Sequence, residues 1–170
     1  GGYGLLDPKY GTKASTDTAP GWYSGSWSNR KKIVVDKKKV SGTSNFSNFP
    51  MLVSITDSNF KHTSFGGKVA SSSAGVTGGG GDFVFTSSDG TTKLDHEIEK
   101  YASSSGEIIA WVEVPTLSVS ADTILYIYYG GPSSGATNQN PTGVWDTNYK
   151  GVWHLKETDI DGGSGDIKES

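Results

Sequence analysis

Turn residues interrupt this chain so often that only short strands fit between them. Apolar runs rich in β-branched and aromatic residues alternate with glycine, proline and charged turns; the runs lie at 30–36, 49–56, 82–86, 93–101, 107–114 and 123–129. β-Branched and aromatic residues favour strands, whereas glycine and proline favour turns. With 24 glycines and a single methionine, the sequence leaves little room for helices. We therefore predict an all-β fold: an antiparallel β-sandwich, jelly-roll-like, with minimal helix.

Two turn segments predict hairpins. The sequence Ser-Ser-Asp-Gly at 87–90 separates the runs at 82–86 and 93–101, which is typical of a hairpin. The charged segment at 36–39 predicts a second hairpin turn, with its lysines in solvent.

The two most apolar runs, at 107–114 and 123–129, are predicted to lie at the centre of a sheet. Trp111 belongs to the first of them, and we expect it in the core. One short helical turn fits between residues 59 and 65.

Composition excludes several classes of function. The chain has no cysteine, which excludes thiol catalysis, zinc–thiolate sites and a disulfide framework. Its net charge is −3 with a pI near 5.5, whereas nucleic acids and anionic membranes attract basic surfaces. No apolar run approaches the roughly 18 residues of a membrane span. We therefore expect no nucleic-acid partner and no membrane insertion of this chain.

Five short motifs follow one another between Trp22 and Pro132. They are Trp27-x-x-Arg30-Lys31-x-Ile33; Asp-Phe-Val-Phe-Thr at 82–86 with Ser-Asp-Gly at 88–90; Leu-Asp-His-Glu-Ile-Glu at 94–99; Trp-Val-Glu-Val-Pro at 111–115; and Tyr-Ile-Tyr-Tyr-Gly-Gly-Pro at 126–132. In these motifs the chain resembles domain-of-unknown-function family 2341, a module of large secreted bacterial and archaeal proteins. The resemblance implies an extracellular or cell-surface location and assigns no reaction.

Composition shifts divide the chain into three segments. We predict an N-terminal arm or linker at 1–21, the sandwich module at 22–144, and a third segment at 145–170. Members of the family are often followed by a concanavalin A-like, laminin-G-like jelly roll, and residues 145–155 resemble the opening of one. The third segment is therefore expected to hold a linker and the first strand of a following lectin-like domain.

The acidic run at 95–99 is the sharpest candidate for chemistry. On a strand, Asp95, Glu97 and Glu99 share one face while His96 and Ile98 share the other. Laminarinase-type glycosidases also use alternating carboxylates, and retention needs two carboxyl groups about 5–5.5 Å apart. This sequence shows neither the extra carboxylate nor the bulge of that pattern. We therefore predict no enzymatic activity. The run is expected to form an exposed acidic face, paired with neighbouring Lys93 or Lys100 or with Arg30. Within this face, Glu97 and Glu99 are candidate ligand contacts.

Aromatic residues form the candidate binding platform: Trp22, Tyr23, Trp27, Tyr126 and Tyr128. Sugar rings stack on exposed aromatic side chains, which would suit a polysaccharide or surface glycan. Tyr126 and Tyr128 share one face of their strand, and that face could be solvated. In the alternative interpretation, Trp22 and Trp27 only cap the sandwich.

Three carboxylates near the C-terminal end suggest a cation site. Asp159, Asp161 and Asp166 lie in a glycine-rich segment, and oxygen ligands of this kind suit Ca²⁺. The segment lacks the bidentate glutamate of an EF-hand, so a solvated turn is the alternative. We expect no other cofactor.

These observations support three hypotheses. The chain is a non-catalytic display or adhesion module of a larger cell-surface or filament protein. In the second hypothesis, it is a carbohydrate-binding module attached to a polysaccharide hydrolase. In the third, it is a self-associating filament subunit whose N-terminal arm adds a strand to a neighbour.

Overall fold

The computed structural model describes residues 20–70, 80–132, 138–145, 147 and 149–152. Seven strands form two antiparallel sheets: β1 (Asn29–Val35), β2 (Phe46–Thr56), β3 (Val84–Thr86), β4 (Lys93–Leu94), β5 (His96–Ala102), β6 (Glu107–Leu117) and β7 (Thr123–Tyr129). The four-stranded sheet has the order β1-β7-β3-β4, and the three-stranded sheet has the order β2-β6-β5. In the described residues, helix is limited to α1 (Pro141–Val144) and three single 3₁₀ turns. The prediction of an all-β sandwich with minimal helix is confirmed.

The core lies between the two sheets and is made of alternate residues of each strand. Along β6 every second residue is buried, from Ile108 to Val114, and along β7 Leu125, Ile127 and Tyr129 face inward. Phe60 lies between them, with its ring in edge contact with the ring of Tyr129 at 4.9 Å. Each such side chain contributes about 1.5–3 kcal/mol when fully buried. The expected central position of both runs is confirmed, each strand having neighbours on both sides in its own sheet.

Of the two predicted hairpin turns, the one at 87–90 joins β3 to its antiparallel neighbour β4, as predicted, whereas the one at 36–39 does not form a hairpin. β1 and β2 belong to different sheets, so the segment at 36–39 is a crossover and not a hairpin turn. A 3₁₀ turn, Lys37–Lys39, makes the crossover, and the Asp36 side chain caps it by accepting a hydrogen bond from the Lys38 amide at 2.8 Å. The lysines are exposed, as predicted for a solvated loop.

The run at 93–101 is not one strand. β4 pairs with β3 over only two residues, and the chain then passes at Asp95 into the other sheet, where β5 pairs with β6. Leu94 and His96 are both buried although they lie in different sheets. The break lets the chain turn around the side of the sandwich while both side chains stay inside.

A bulge interrupts β5, which corrects the expectation that this strand has none. The pairing with β6 shifts between Ile98 and Lys100, so Glu99 is the extra residue. A bulge resets the alternation of faces. As a result Lys100 remains exposed and Tyr101 turns into the core, where its hydroxyl donates to the Phe60 carbonyl at 2.7 Å.

The segment after residue 138 covers the open edge of β5. The Asn140 amide donates to the His96 carbonyl at 3.0 Å, and the Ile98 amide donates to the side chain of Gln139. These two bonds fix α1 beside the three-stranded sheet. None of the helices in the described part of the chain has the length and apolar character of a membrane span.

Candidate functional site

The predicted aromatic platform lies on the outer face of the four-stranded sheet. Its tryptophans and Tyr23 belong to the segment that precedes β1, and its other two tyrosines belong to β7. Trp22 contacts the ring of Tyr128 edge-on at 5.3 Å, and Tyr23 contacts Trp27 at 5.1 Å. The indole N–H of Trp22 donates to the Trp27 carbonyl at 2.9 Å. The structure thus brings these predicted residues together, but their rings largely pack against one another.

Arg30 occupies the centre of this aromatic group. Its guanidinium carbon lies 4.7 Å from the ring centroids of both Trp22 and Tyr126, a cation–π geometry. It also donates to the Gly21 carbonyl at 2.6 Å and to the Tyr128 hydroxyl at 3.0 Å. The aromatic faces that would stack on a sugar are therefore partly occupied by a side chain of the same molecule.

The expected solvated tyrosine face is found only in part. Tyr126 is half-buried, but Tyr128 is fully buried and its hydroxyl donates to the Gly90 carbonyl at 2.8 Å. The prediction of Tyr128 as an exposed platform residue is wrong, because the segment carrying Trp22 and Tyr23 folds over it. Trp22 itself keeps 43% of its surface exposed.

Asp82 anchors this arrangement from behind. Its backbone carbonyl accepts from the Trp27 indole at 2.6 Å. Its carboxylate oxygen Oδ2 accepts from the amides of Ala70, Gly130 and Gly131 at 2.9, 2.9 and 3.2 Å. The other oxygen, Oδ1, is buried and has no hydrogen-bond partner among the described residues. Burial raises the pKa of Asp82, against the lowering effect of the amides. Sequence analysis missed this residue, although the motif at 82–86 begins with it.

Glu97 and Glu99 lie on the opposite side of the molecule, on the outer face of the three-stranded sheet. Each is half-buried, and each accepts a hydrogen bond from an indole: Glu97 from Trp145 at 2.7 Å and Glu99 from Trp111 at 2.9 Å. The expected partners lie elsewhere, because Arg30 is on the other sheet and Lys100 pairs with Glu107 at 2.7 Å. The two glutamates share one outward face, as predicted, but they are half-buried and not exposed, and each is hydrogen-bonded to an indole.

Trp111 is not a core residue, which corrects the sequence prediction. It lies in phase with the half-buried residues Ile109 and Glu113 of β6, on the outer face. The rings of Trp111 and Trp145 are 5.2 Å apart at 61°, and those of Trp145 and Tyr149 are 5.2 Å apart at 71°. We call Trp111, Trp145 and Tyr149 the outer aromatic cluster. Strict alternation along β6, with Val112 and Val114 inside, was the signal that could have placed Trp111 outside.

His96 and Ile98 point into the sandwich, as predicted for the face opposite the glutamates. His96 is fully buried against the ring of Phe85, and this burial lowers its pKa to about 4. Within the described ranges no group of three histidine or acidic side chains is arranged to hold a metal ion. The predicted calcium ligands Asp159, Asp161 and Asp166 lie outside the described residues, as do most residues of the third segment, in which the first strand of a following domain is expected.

A shallow depression opens at one end of the sandwich, and no predicted site residue lines it. Its walls carry several hydroxyl groups and one carboxylate, from Ser87, Ser88, Thr116, Ser118, Asp122 and Thr123. Asp122 accepts a hydrogen bond from the Lys37 amide at 3.1 Å, and Thr123 accepts one from the Ser118 amide at 3.2 Å. These contacts serve the fold.

Comparison with protein families gives one match. Residues 79–153 match a family described as a domain of unknown function, DUF2341, which confirms the resemblance stated above. The matched segment is somewhat less than half of the chain. It includes four of the five motifs, and it extends beyond residue 144 to include Trp145 and Tyr149. No match was found among curated proteins or among solved structures.

Proposed function

We propose that this chain, whose residues 79–153 match the DUF2341 family model, acts as a non-catalytic display or adhesion module of a larger extracellular or cell-surface protein. The sandwich serves as the rigid support in this proposal. The outer face of the three-stranded sheet, with Glu97, Glu99 and the outer aromatic cluster, serves as the contact surface.

One observation carries the proposal. The two carboxylates of β5 each accept a hydrogen bond from an indole N–H, at 2.7 and 2.9 Å. A hydrolytic pair instead needs one carboxyl group as acid and one as base or nucleophile, both directed at the same glycosidic bond. Carboxylates that orient aromatic rings on a sheet face suit a surface that binds a partner without catalysing a reaction on it.

Assembly by strand addition receives less support. The free edge of the three-stranded sheet is β2, where Pro50 lies opposite Glu113. The Glu113 amide donates to Asp95, away from β2. In an antiparallel ladder, opposed residues either both bond to each other or both face away. The nitrogen of Pro50 therefore faces the free edge, where it offers an added strand no donor.

The test uses attachment and turnover together. Fluorescent beads coated with the purified chain should attach to the surface of source cells or to the extracellular matrix that they shed, whereas beads coated with heat-unfolded chain should not. The same chain should release no reducing ends from a panel of polysaccharides. Attachment no better than that of the unfolded control would contradict the proposal, as would hydrolysis that Glu97→Gln abolishes.

A further inference from the structure

A lysine, an aspartate and an asparagine meet where the two sheets adjoin. Lys31 lies on β1 of the four-stranded sheet, and Asp57 directly follows β2 of the three-stranded sheet. The ammonium group of Lys31 contacts Oδ2 of Asp57. The other oxygen, Oδ1, accepts a hydrogen bond from the side-chain amide of Asn59 at 3.1 Å. One carboxyl group therefore holds an amine from one sheet and an amide from beside the other.

The backbone fixes the position of the carboxyl group and of the amide. Oδ1 of Asp57 also accepts from the backbone amide of Asn59 at 2.8 Å. The Asp57 amide donates to the Gly106 carbonyl at 3.1 Å, and the Asp57 carbonyl accepts from the Phe60 amide at 3.0 Å. Groups held in a fixed mutual orientation can reach effective molarities of about 10⁵–10⁸ M. The turn thus presents its side-chain amide to Lys31 in an ordered arrangement.

The three groups are partly withdrawn from water. The side chain of Asp57 is 16% exposed and that of Lys31 is 28% exposed. The Lys31 Nζ lies 5.6 Å from the ring centroid of Phe60, which is fully buried. Burial acts to raise the pKa of Asp57, but the hydrogen bonds from Lys31 and Asn59 outweigh it and leave the pKa below 3.8. The resting pair is therefore an ammonium and a carboxylate, and a reaction of the amine starts with a proton transfer between them.

We propose that Lys31 and Asn59 form an intramolecular isopeptide bond, with Asp57 as the group that carries the protons. Asp57 takes one proton from the Lys31 ammonium, and the resulting amine attacks Cγ of Asn59, so that a bond forms between Nζ and Cγ. Asp57 passes this proton to Nδ2 and takes a second one from Nζ. The bond between Cγ and Nδ2 then breaks and ammonia leaves. Asp57 returns its remaining proton to the solvent, so the reaction needs no oxidant and no co-reactant.

The bond joins the two sheets covalently. β1 and β2 are edge strands of different sheets, and the bond closes the chain between residues 31 and 59 into a loop. A cross-link of this kind stabilises a fold mainly because it reduces the conformational freedom of the unfolded chain. It also limits how far the two sheets can separate. This bond is independent of the contact surface proposed above, and its absence leaves that proposal intact.

Mass spectrometry of the whole chain tests for the bond. The intact mass of the purified wild type, measured after unfolding, should lie below the sequence mass by one molecule of ammonia. Protease digestion should give a branched peptide in which Lys31 is joined to Asn59. Lys31→Arg keeps a cation beside Asp57 and with it the ion pair, whereas Asp57→Ala keeps the amine and the amide but removes the proton carrier. Both variants should have their full sequence mass.

Lys100→Arg is the matched control, because Lys100 belongs to a second ion pair, with Glu107 at 2.7 Å. This variant should retain the loss of ammonia and melt close to the wild type. Lys31→Arg should melt roughly 10 °C below the wild type, the effect of opening a loop of this length. The full sequence mass in folded wild type after prolonged incubation at neutral pH overturns the assignment. So does the loss of one water, which places the bond at Asp57, or a loss of ammonia that persists in Lys31→Arg.

Discussion

Asp82 and His96 are fully buried titratable side chains, and burial acts on their pKa values in opposite directions. Burial raises the pKa of the Asp82 carboxyl above 3.8 and lowers the pKa of the His96 imidazole from 6.5 to about 4. In both residues the neutral form is favoured, because a charge is poorly solvated inside the sandwich. The two residues therefore contribute opposite dependences of folding stability on pH.

Substitution of Asp82 tests its role as an anchor. Asp82→Ala leaves the amides of Ala70, Gly130 and Gly131 without their acceptor. Each buried donor left unsatisfied costs about 1–3 kcal/mol, so we expect a loss of several kcal/mol in the free energy of unfolding. Asp82→Asn keeps one oxygen acceptor and should cost much less. Urea denaturation at pH 7 measures both. Equal losses in the two variants would contradict the role of the acceptor oxygen.

The same pair of proteins checks the sign of the pH effect. The pKa of Asp82 is raised in the folded state, so the wild type is stabilised below pH 3.8 and loses that contribution as pH rises through the folded pKa. Asp82→Asn lacks this dependence. Its stability relative to the wild type should therefore improve as pH rises from acid to neutral.

His96 gives a second test, in the opposite direction. Its folded pKa of about 4 lies below the ordinary 6.5, so its contribution is present above pH 6.5 and is lost as pH falls towards 4. The loss is on the order of 3 kcal/mol. His96→Leu should remove this part of the acid sensitivity while it keeps a buried apolar side chain. Thermal melts of wild type and variant between pH 4 and pH 7 measure the difference, and parallel pH profiles would contradict it.

At the scale of elements, the strands could be predicted from sequence but their distribution between sheets could not. Alternation along 107–114 indicates which side chains point inward, and the structure agrees for Val112 and Val114. Alternation does not say which sheet a strand joins. The segment at 36–39 and the break at Asp95 both change sheets, and local turn residues look the same for a crossover and a hairpin.

The bulge in β5 is an element whose sequence signal was present. The apolar residues Ile98 and Tyr101 are three positions apart in the sequence and not two, and both are buried in the structure. An interval of three in a strand marks an extra residue, here Glu99. Prediction of the candidate site from sequence requires more than a local pattern of spacing. Glu97 and Glu99 could be selected from sequence as an acidic face, but Trp145, the indole partner of Glu97, lies 48 residues later along the chain, and no local pattern predicts that contact.

At the scale of the whole molecule, the described sheet edges are each protected against pairing with another chain. β1 carries Arg30, Lys31 and Lys32, and charged side chains discourage the addition of a strand. β4 has only two residues, and the edge of β5 is bonded to Gln139 and Asn140. On β2, the backbone nitrogen of Pro50 faces the free edge and carries no hydrogen to donate. An open row of edge donors would otherwise run along an eleven-residue strand.

Pro50→Val tests whether this proline keeps the molecule monomeric. The substitution adds an outward N–H in phase with those of Leu52 and Ser54, which creates a continuous edge for antiparallel pairing. We expect concentration-dependent association of Pro50→Val in analytical ultracentrifugation, under conditions in which the wild type stays monomeric. Adding Ser54→Pro removes the neighbouring outward donor and should restore the monomer, because that nitrogen makes no bond to β6. If Pro50→Val remains monomeric at every concentration, the charged and covered edges suffice, and the orientation of Pro50 has no part in keeping the chains apart.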